Sequence, residues 1–129
     1  MGKNLRSTMP TVSIIDDDSE MLDTLARVVR RGGLQTQTFA SAPAFLARSD
    51  HSRIDCLLVD LNATEPSDIE WLEKLGAGGF IYPVFVLSVF PKASDIAGIK
   101  ALGAVVVGKP FHARALIQQI CTAVEKSQN

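Results

Sequence analysis

The chain has 129 residues, which is enough for one domain with a packed core and too few for two. Apolar residues make up 47% of it and charged residues 21%, an ordinary composition for a globular protein. The net charge of -1 argues against a general attraction to nucleic acid or anionic lipid, and no apolar run is long enough to span a bilayer. We therefore expect a single soluble domain that contacts neither nucleic acid nor a membrane directly.

The chain ends and the two cysteines bear on where the protein works. Residues 1–10 show no periodicity and no apolar signal core, so we expect a flexible leader there. The folded domain is predicted over residues 11–127, followed by a short tail over 128–129. Cys56 and Cys121 lie far apart within apolar patterns, which favours reduced, buried packing residues over a disulfide. These features predict a cytoplasmic protein.

Short β-branched runs alternate with amphipathic helical stretches along the folded part. The strand-like runs cover residues 12–15, 35–39, 56–59, 84–87 and 104–107. Asp18 or Ser19 can cap the first helix, Gly32 ends it, and Phe45 and Leu46 of the second helix are expected to face the core. Apolar stripes mark the later helices at Ile69, Leu72 and Leu75, at Ile96, Ile99 and Leu102, and at Leu116, Ile120 and Val124. Strict alternation predicts an α/β fold built from βαβ units on a parallel sheet.

Polar residues follow four of these runs, although the runs themselves are apolar. Asp16 and Asp17 follow the first run, Asp60 the third, Ser88 the fourth, and Lys109 comes shortly after the fifth. In a parallel sheet the carboxyl ends of the strands share one edge, and ligands bind in the crevice outside that edge. We therefore expect three carboxylates, a hydroxyl and an ammonium at one rim.

The expected rim has a definite chemistry. Three carboxylates a few ångströms apart raise one another's pKa unless a cation neutralises them. Mg²⁺ is the expected cation, because it takes a few carboxylate oxygens, keeps several waters and accepts phosphate oxygens readily. A carboxylate beside Mg²⁺ can attack a phosphoryl group, while the metal and the ammonium stabilise the charge on the transferring group. The rim therefore predicts metal-assisted formation of an aspartyl phosphate.

Each rim residue has a simpler explanation when it is taken alone. An aspartate run after a strand is usually a turn with a helix cap, and Asp60 could cap a loop. Ser88 is unremarkable by itself, and Lys109 would more often be a solvated lysine. Their joint placement at the ends of strands one, three, four and five favours the functional interpretation.

The residues around these positions resemble the response-regulator receiver family over residues 11–127. The matching pieces are Ile-Ile-Asp-Asp-Asp at 14–18, Leu-Leu-Val-Asp at 57–60, Val-Leu-Ser at 86–88 and Lys-Pro-Phe at 109–111, in the order and near the spacing of that family. The resemblance implies a single doubly wound, flavodoxin-like (βα)5 sandwich with a five-stranded parallel sheet in the order 2-1-3-4-5. It also implies a two-component phosphorelay switch that is not an enzyme, beyond self-phosphorylation from a donor and slow self-dephosphorylation.

The resemblance also implies a role for each rim residue. Asp60 would accept the phosphoryl group from a histidine kinase or a phosphotransfer protein. The implied Mg²⁺ ligands are Asp16, Asp17, Asp60 and the backbone carbonyl of Asn62. Ser88 and Lys109 would bind the phosphoryl group, and the peptide bond between Lys109 and Pro110 is typically cis in this family.

Four positions depart from the family pattern. Thr64 and Asp68 replace the usual proline and glycine in the loop after the acceptor. Val89 replaces the usual alanine after the serine of the fourth strand. Val106 stands at the switch position, where the family has a Tyr or Phe whose ring turns inward on activation. We therefore expect a phosphorylation-competent receiver with an unconventional output.

Two other functions remain open. The departures from the family pattern are the basis for one alternative, a receiver-like interaction module that works without phosphorylation. A haloacid-dehalogenase-type phosphohydrolase would also form an aspartyl phosphate on a similar sheet. Its nucleophile would follow the first strand in an Asp-x-Asp-x-Thr pattern, but Glu20 stands in the place of the threonine.

A homodimer through the face of helix four, strand five and helix five is a further expectation. The residues that could supply small or apolar contacts there are Ala93, Ile96, Ala97, Ala113 and Ala115. The same residues could instead belong to the core. The sequence contains no basic recognition helix, so we expect no direct contact with nucleic acid.

Overall fold

The computed structural model of the chain describes residues 9–48, 54–61, 68–77, 80–88 and 93–127. Within these ranges five strands and five helices alternate. They are β1 (Thr11–Ile15), α1 (Ser19–Arg31), β2 (Gln35–Phe39), α2 (Ala42–Leu46), β3 (Cys56–Asp60), α3 (Asp68–Leu75), β4 (Val84–Ser88), α4 (Ala93–Ala101), β5 (Val105–Gly108) and α5 (Ala113–Ser127). The predicted alternation is confirmed.

The strands form one parallel sheet in the order β2-β1-β3-β4-β5, which confirms the predicted doubly wound α/β architecture. From β1 the chain moves outward to β2, and it then returns to the other side of β1 to form β3. The direction of winding therefore reverses between β1 and β3. Ligands of open parallel sheets bind outside the carboxyl ends of the strands at such a reversal.

Side chains of the central strands alternate between two apolar layers. In β3, Cys56 and Leu58 face the layer that α1 and α5 cover, while Leu57 and Val59 face the opposite layer. Residues of the helices complete the layers: Leu25, Val29, Leu116, Ile120 and Val124 on the first side, and Phe45, Leu72 and Ile99 on the second. Burial on both faces explains why the central strands are almost continuously apolar.

The short helix α2 confirms one prediction about its apolar residues and contradicts the other. The Oγ of Ser41 caps the helix by accepting a hydrogen bond from the Ala44 N–H at 3.1 Å. Phe45 is fully buried and packs edge-on against Phe39, with ring centroids 5.4 Å apart. Leu46 is 53% exposed, so the prediction that it faces the core is wrong. Neighbouring residues of a helix point about 100° apart, and Phe45 takes the direction of the core.

Both cysteines are free thiols, as predicted. Cys56 is fully buried, and this burial raises the pKa of its thiol to about 12. Cys121 is only partly buried, so the expectation of a buried packing residue holds for Cys56 alone. The predicted leader and tail fall largely outside the described residues and stay predictions. Nowhere in the described ranges is there a helix long and apolar enough to cross a membrane.

Candidate functional site

Three predicted rim residues lie at the carboxyl ends of adjacent strands. Asp16 directly follows β1, Asp60 is the last residue of β3, and Ser88 is the last residue of β4. The parallel register between these strands sets their ends side by side. All three side chains are buried, with exposures between 1% and 4%. The rim therefore sits inside the crevice at the winding reversal and not on the open surface.

Lys109 reaches the same place from the end of β5. Its ammonium donates a hydrogen bond to Oδ2 of Asp60 and forms an ion pair with that carboxylate. Its backbone N–H donates a hydrogen bond to the Ser88 carbonyl at 2.9 Å, which ties the segment after β5 to the end of β4. The peptide bond between Lys109 and Pro110 is cis, as the family resemblance implies. The structure thus joins two residues that lie 49 positions apart in the sequence.

The Asp16 carboxylate lies beside this pair and is incompletely satisfied. Its Oδ1 accepts a hydrogen bond from the Asp18 N–H at 3.0 Å. Its Oδ2 is buried and meets no hydrogen-bond donor among the described residues. Burial raises the pKa of Asp16 to about 6; the Asp18 N–H and the Lys109 charge lower it, while the neighbouring Asp60 raises it further. The Lys109 ammonium therefore interacts with two buried carboxylates.

The three successive aspartates after β1 have different environments. Asp16 is buried in the crevice and Asp17 is exposed at the rim. Asp18 is the N-cap of α1, and its Oδ1 accepts hydrogen bonds from the backbone N–H groups of Glu20 at 3.0 Å and Met21 at 3.3 Å. Of the two predicted caps, Asp18 is confirmed.

The arrangement of donors fits a divalent cation that keeps much of its water. Over the part of the chain that the structure describes, no three acidic, histidine or cysteine side chains converge into a complete metal cage. Asn62, whose carbonyl was predicted as a ligand, lies outside the described residues. Mg²⁺ usually takes only one or two protein carboxylates together with several waters. The buried Oδ2 of Asp16, without a donor and next to a second carboxylate, is compatible with such an ion.

Val106 lies opposite Val86 in the β4–β5 ladder, at the predicted switch position. It is partly buried against the same apolar layer as Val86. An aliphatic side chain has no ring that could turn towards the rim. Of the other departures from the family pattern, Thr64 and Val89 lie outside the described residues, and Asp68 is the first residue of α3.

Asp55 is a buried carboxylate that the sequence patterns do not single out. It lies at the amino end of β3, away from the rim, and its Oδ2 accepts a hydrogen bond from the Thr11 N–H at 2.8 Å. The Asp55 N–H in turn donates to the Thr11 carbonyl at 2.9 Å. This reciprocal pairing closes the start of β1, so Asp55 has a structural role and does not belong to the site. An aspartate immediately before an apolar strand was its only signal in the sequence.

Comparisons with known proteins give a family and a fold. The sequence model of the response regulator receiver domain matches residues 12–121. The response regulator protein TmoT of Ectopseudomonas mendocina is 32% identical over 117 residues, which cover 88% of this chain and 52% of TmoT. The chain thus spans about half the length of the curated relatives that it matches.

Solved structures show the same fold. The CheY-like receiver domain protein from Methanospirillum hungatei JF-1 superposes with a TM-score of 0.84 at 20% identity, over 94% of this chain and 98% of that one. Full-length FixJ from B. japonicum superposes with a TM-score of 0.82 at 25% identity, over 94% of this chain and 60% of FixJ. The architecture is therefore shared with a receiver domain protein of similar length and with a part of the longer FixJ chain.

Proposed function

The chain belongs to the response regulator receiver domain family, and on that premise we propose that it is a phosphorylation switch whose acceptor is Asp60. Response regulators are generally non-enzymatic parts of two-component systems that interact with histidine kinases or phosphotransfer proteins. The phosphoryl donor proposed for this chain is the phosphohistidine of such a protein. The observation that carries the proposal is the direct pairing of the Lys109 ammonium with the buried Asp60 carboxylate.

This pairing supports an acceptor role for a physical reason. A buried ion pair contributes little to stability by itself, because removing two charges from water costs about as much as their attraction returns. Here the environment is less favourable still, since Asp16 adds a second carboxylate beside the pair. Charged side chains that lower the stability of the fold but are positioned to react are typical of a functional site.

Phosphoryl transfer would form one bond and break one. A carboxylate oxygen of Asp60 attacks the phosphorus of phosphohistidine; the P–O bond forms as the P–N bond breaks, and the imidazole nitrogen keeps the electron pair. Lys109, already at the carboxylate, pairs with the phosphoryl oxygens. The Ser88 hydroxyl, at the end of the adjacent strand, donates a hydrogen bond to one of those oxygens. Attack of water on the phosphorus later restores the carboxylate and releases inorganic phosphate.

Receiver domains generally bind Mg²⁺ at the acceptor aspartate. We propose that Asp16, Asp17 and Asp60, together with the backbone carbonyl of Asn62, hold the ion in this chain. When bound, Mg²⁺ supplies positive charge that stabilises the transferring group. Asp16 offers a buried oxygen that no hydrogen-bond donor among the described residues reaches, and burial, followed by the neighbouring Asp60 carboxylate, raises its pKa to about 6.

Phosphorylation adds a charge of about -1.5 to -2 to the rim at neutral pH. Because Val106 carries no ring, we propose that this charge alters partner or dimer contacts without the aromatic movement typical of the family. The face of α4, β5 and α5 is one candidate surface. Of the predicted contact residues, Ala97, Ala113 and Ala115 are exposed on its helices and Ile96 is half-buried.

Incubation with Mg²⁺ and acetyl phosphate, followed by measurement of the intact mass, tests the proposal. We expect a phosphate-sized gain in the wild-type protein that is lost in Asp60→Asn and in the presence of EDTA. Asp23→Asn, which changes an exposed carboxylate of α1, is the matched control and should keep the gain. A gain that survives Asp60→Asn would disprove the acceptor assignment. No gain in a folded protein would favour the phosphorylation-independent interaction module, which the valine at the switch position also favours.

A further inference from the structure

A cavity of about 470 Å³ lies between the C-terminal half of α1 and the first turns of α5. We call it the α1–α5 cleft; the residues that line it are Val28, Arg31, Gly32, Ala113, Arg114 and Ile117. Val28 and Ile117 are half-buried and give the cleft an apolar floor, while both arginines are exposed. No carboxylate lines the cleft, and neither arginine forms an ion pair with any of the described residues.

The floor of the cleft is fixed by close helix packing at Gly32. A Cβ atom at this position would lie 2.5 Å from Cγ2 of Ile117, so only glycine permits this approach of α5 to the end of α1. One turn further along α5, the Sγ of Cys121 lies 3.9 Å from the Gly32 carbonyl oxygen. The cleft is therefore built on a tight contact between two helices of the core, and its shape does not depend on a loop.

Of the two arginines of the cleft, only Arg31 stabilises the helix to which it belongs. Arg31 is in the last turn of α1, where a cation interacts favourably with the helix dipole. Arg114 is in the first turn of α5, which contains no acidic residue. A cation at this end opposes the dipole, and a carboxylate would be the stabilising choice. The charge of Arg114 thus works against its own helix, which indicates a role outside it.

From this geometry we infer that the α1–α5 cleft is a docking site for an acidic helix of a protein partner. Each guanidinium can bind a carboxylate in bidentate fashion, and the apolar floor can take an aliphatic side chain from the same helix face. Exposed arginines around an apolar centre are typical of protein–protein interfaces. An extended polyanion is disfavoured, because the acidic rim at the other end of α1 would repel it.

The cleft is separate from the acceptor site and extends the proposed function to a second surface. With a rise of about 1.5 Å per residue, Val28 lies about 14 Å and Arg31 about 18 Å along α1 from Ser19, the helix residue nearest the rim. The cleft and the acceptor site share no residue, although Ala113 and Arg114 follow Lys109 by only four and five positions. We expect that docking in the cleft still allows phosphorylation of Asp60.

Titration with a short amphipathic helical peptide, carrying glutamates four positions apart beside a leucine stripe, tests the inference. We expect amide chemical-shift changes in residues 28–32 and 113–117, and binding about tenfold tighter than that of the same peptide with glutamine for glutamate. The double variant Arg31→Gln/Arg114→Gln should bind the acidic peptide about tenfold more weakly. Arg30→Gln is the matched control and should bind normally, since Arg30 lies outside the cleft and donates a hydrogen bond to Thr36 Oγ1 at 3.1 Å.

Wild-type affinity in the double variant would overturn the inference, as would tighter binding of duplex DNA or of anionic vesicles than of the acidic peptide. Arg114→Glu distinguishes loss of binding from loss of folding. It places an acidic residue in the first turn of α5, so it should raise the midpoint of thermal unfolding and still weaken binding of the peptide. Acetyl phosphate should still modify each arginine variant. The docking test and the phosphorylation test can therefore fail independently.

Discussion

The ammonium of Lys109 is bonded directly to the carboxylate of Asp60, and Asp16 lies buried beside them with one oxygen that no donor reaches among the described residues. The Lys109 ammonium therefore interacts with both buried carboxylates. Removing any one of these three charges should change the free energy of unfolding, so the contribution of each residue can be measured without phosphorylation.

Replacement of Lys109 by methionine keeps much of the aliphatic stem and removes the charge. We expect the free energy of unfolding of the metal-free protein to fall by roughly 1–3 kcal/mol at neutral pH, because both carboxylates lose their counter-charge. Urea denaturation in EDTA measures this change. Lys100→Met, in the exposed last turn of α4, is the control and should stay within about 0.5 kcal/mol of wild type. A loss that does not shrink when Asp60→Asn is added would show that Lys109 does not act through this pair.

Asp16 should make the metal-free protein less stable as the pH rises. Its folded-state pKa of about 6 lies above the ordinary value of 3.8, so the folded state binds the proton more tightly than the unfolded state. Its contribution to the free energy of unfolding therefore falls between about pH 4 and pH 6 and is level above that. Asp16→Asn should stabilise the protein at neutral pH by on the order of 1–2 kcal/mol, because it removes a buried charge.

Urea midpoints of the Asp16→Asn variant in EDTA, taken across this pH range, measure the effect. The gain over wild type should become small near pH 4, because Asp16 is then protonated in the folded state and its unfolded-state carboxyl, with the ordinary pKa of 3.8, is only partly ionised. Asp23→Asn on the exposed face of α1 should show no such pH dependence. An equal gain at both ends of the range would mean that the substitution acts through packing and not through the buried charge.

Asp17 and Asp18 are adjacent, yet they should give opposite results. Asp18→Ala removes the N-cap of α1 and should lower the free energy of unfolding by about 1 kcal/mol, with the stabilisation by Mg²⁺ retained. Asp17→Ala removes an exposed carboxylate, so it should change metal-free stability little and weaken the stabilisation by Mg²⁺. Thermal unfolding of both variants with and without Mg²⁺ separates the two roles. Equal loss of the Mg²⁺ effect in both would contradict this division.

The central strands could be predicted closely because their environment is simple. Burial on both faces requires apolar residues throughout, so the runs at 56–59 and 84–87 mark β3 and β4 almost to their ends. Each strand nevertheless extends one residue further, to Asp60 and Ser88, because the parallel ladder continues past the apolar run. The error at Leu46 has the opposite origin: a helix of five residues is too short for periodicity to define its buried face.

The sequence predicts which residues form the site better than it predicts how they contact one another. Parallel topology alone brings the rim residues to one edge, but the bond from Lys109 to Asp60 also depends on the register of β5 and on the turn after it. The α1–α5 cleft could not be predicted at all. In the sequence, Gly32 only signals the end of α1; its contact with Ile117 depends on how α5 crosses that end, which no local pattern records.

Gly32 and Gly33 are adjacent glycines that should resist substitution for different reasons. Gly32 has a φ of -83°, which any residue adopts, but an added Cβ would clash with Ile117. Gly33 has a φ of +85° and nothing within 4 Å of the added atom. We expect Gly32→Ala to cost about 1–3 kcal/mol by overpacking and Gly33→Ala about 1–2 kcal/mol by backbone strain.

A background of Ile117→Ala distinguishes the two causes, because it removes the atom with which the Cβ at position 32 would collide. In that background Gly32→Ala should cost little, whereas the cost of Gly33→Ala should be unchanged. Urea denaturation of the single and double variants gives the coupling energy for each pair. Equal costs of Gly32→Ala in both backgrounds would show that α5 does not approach α1 at this point, and the packing that forms the floor of the α1–α5 cleft would then have to be different.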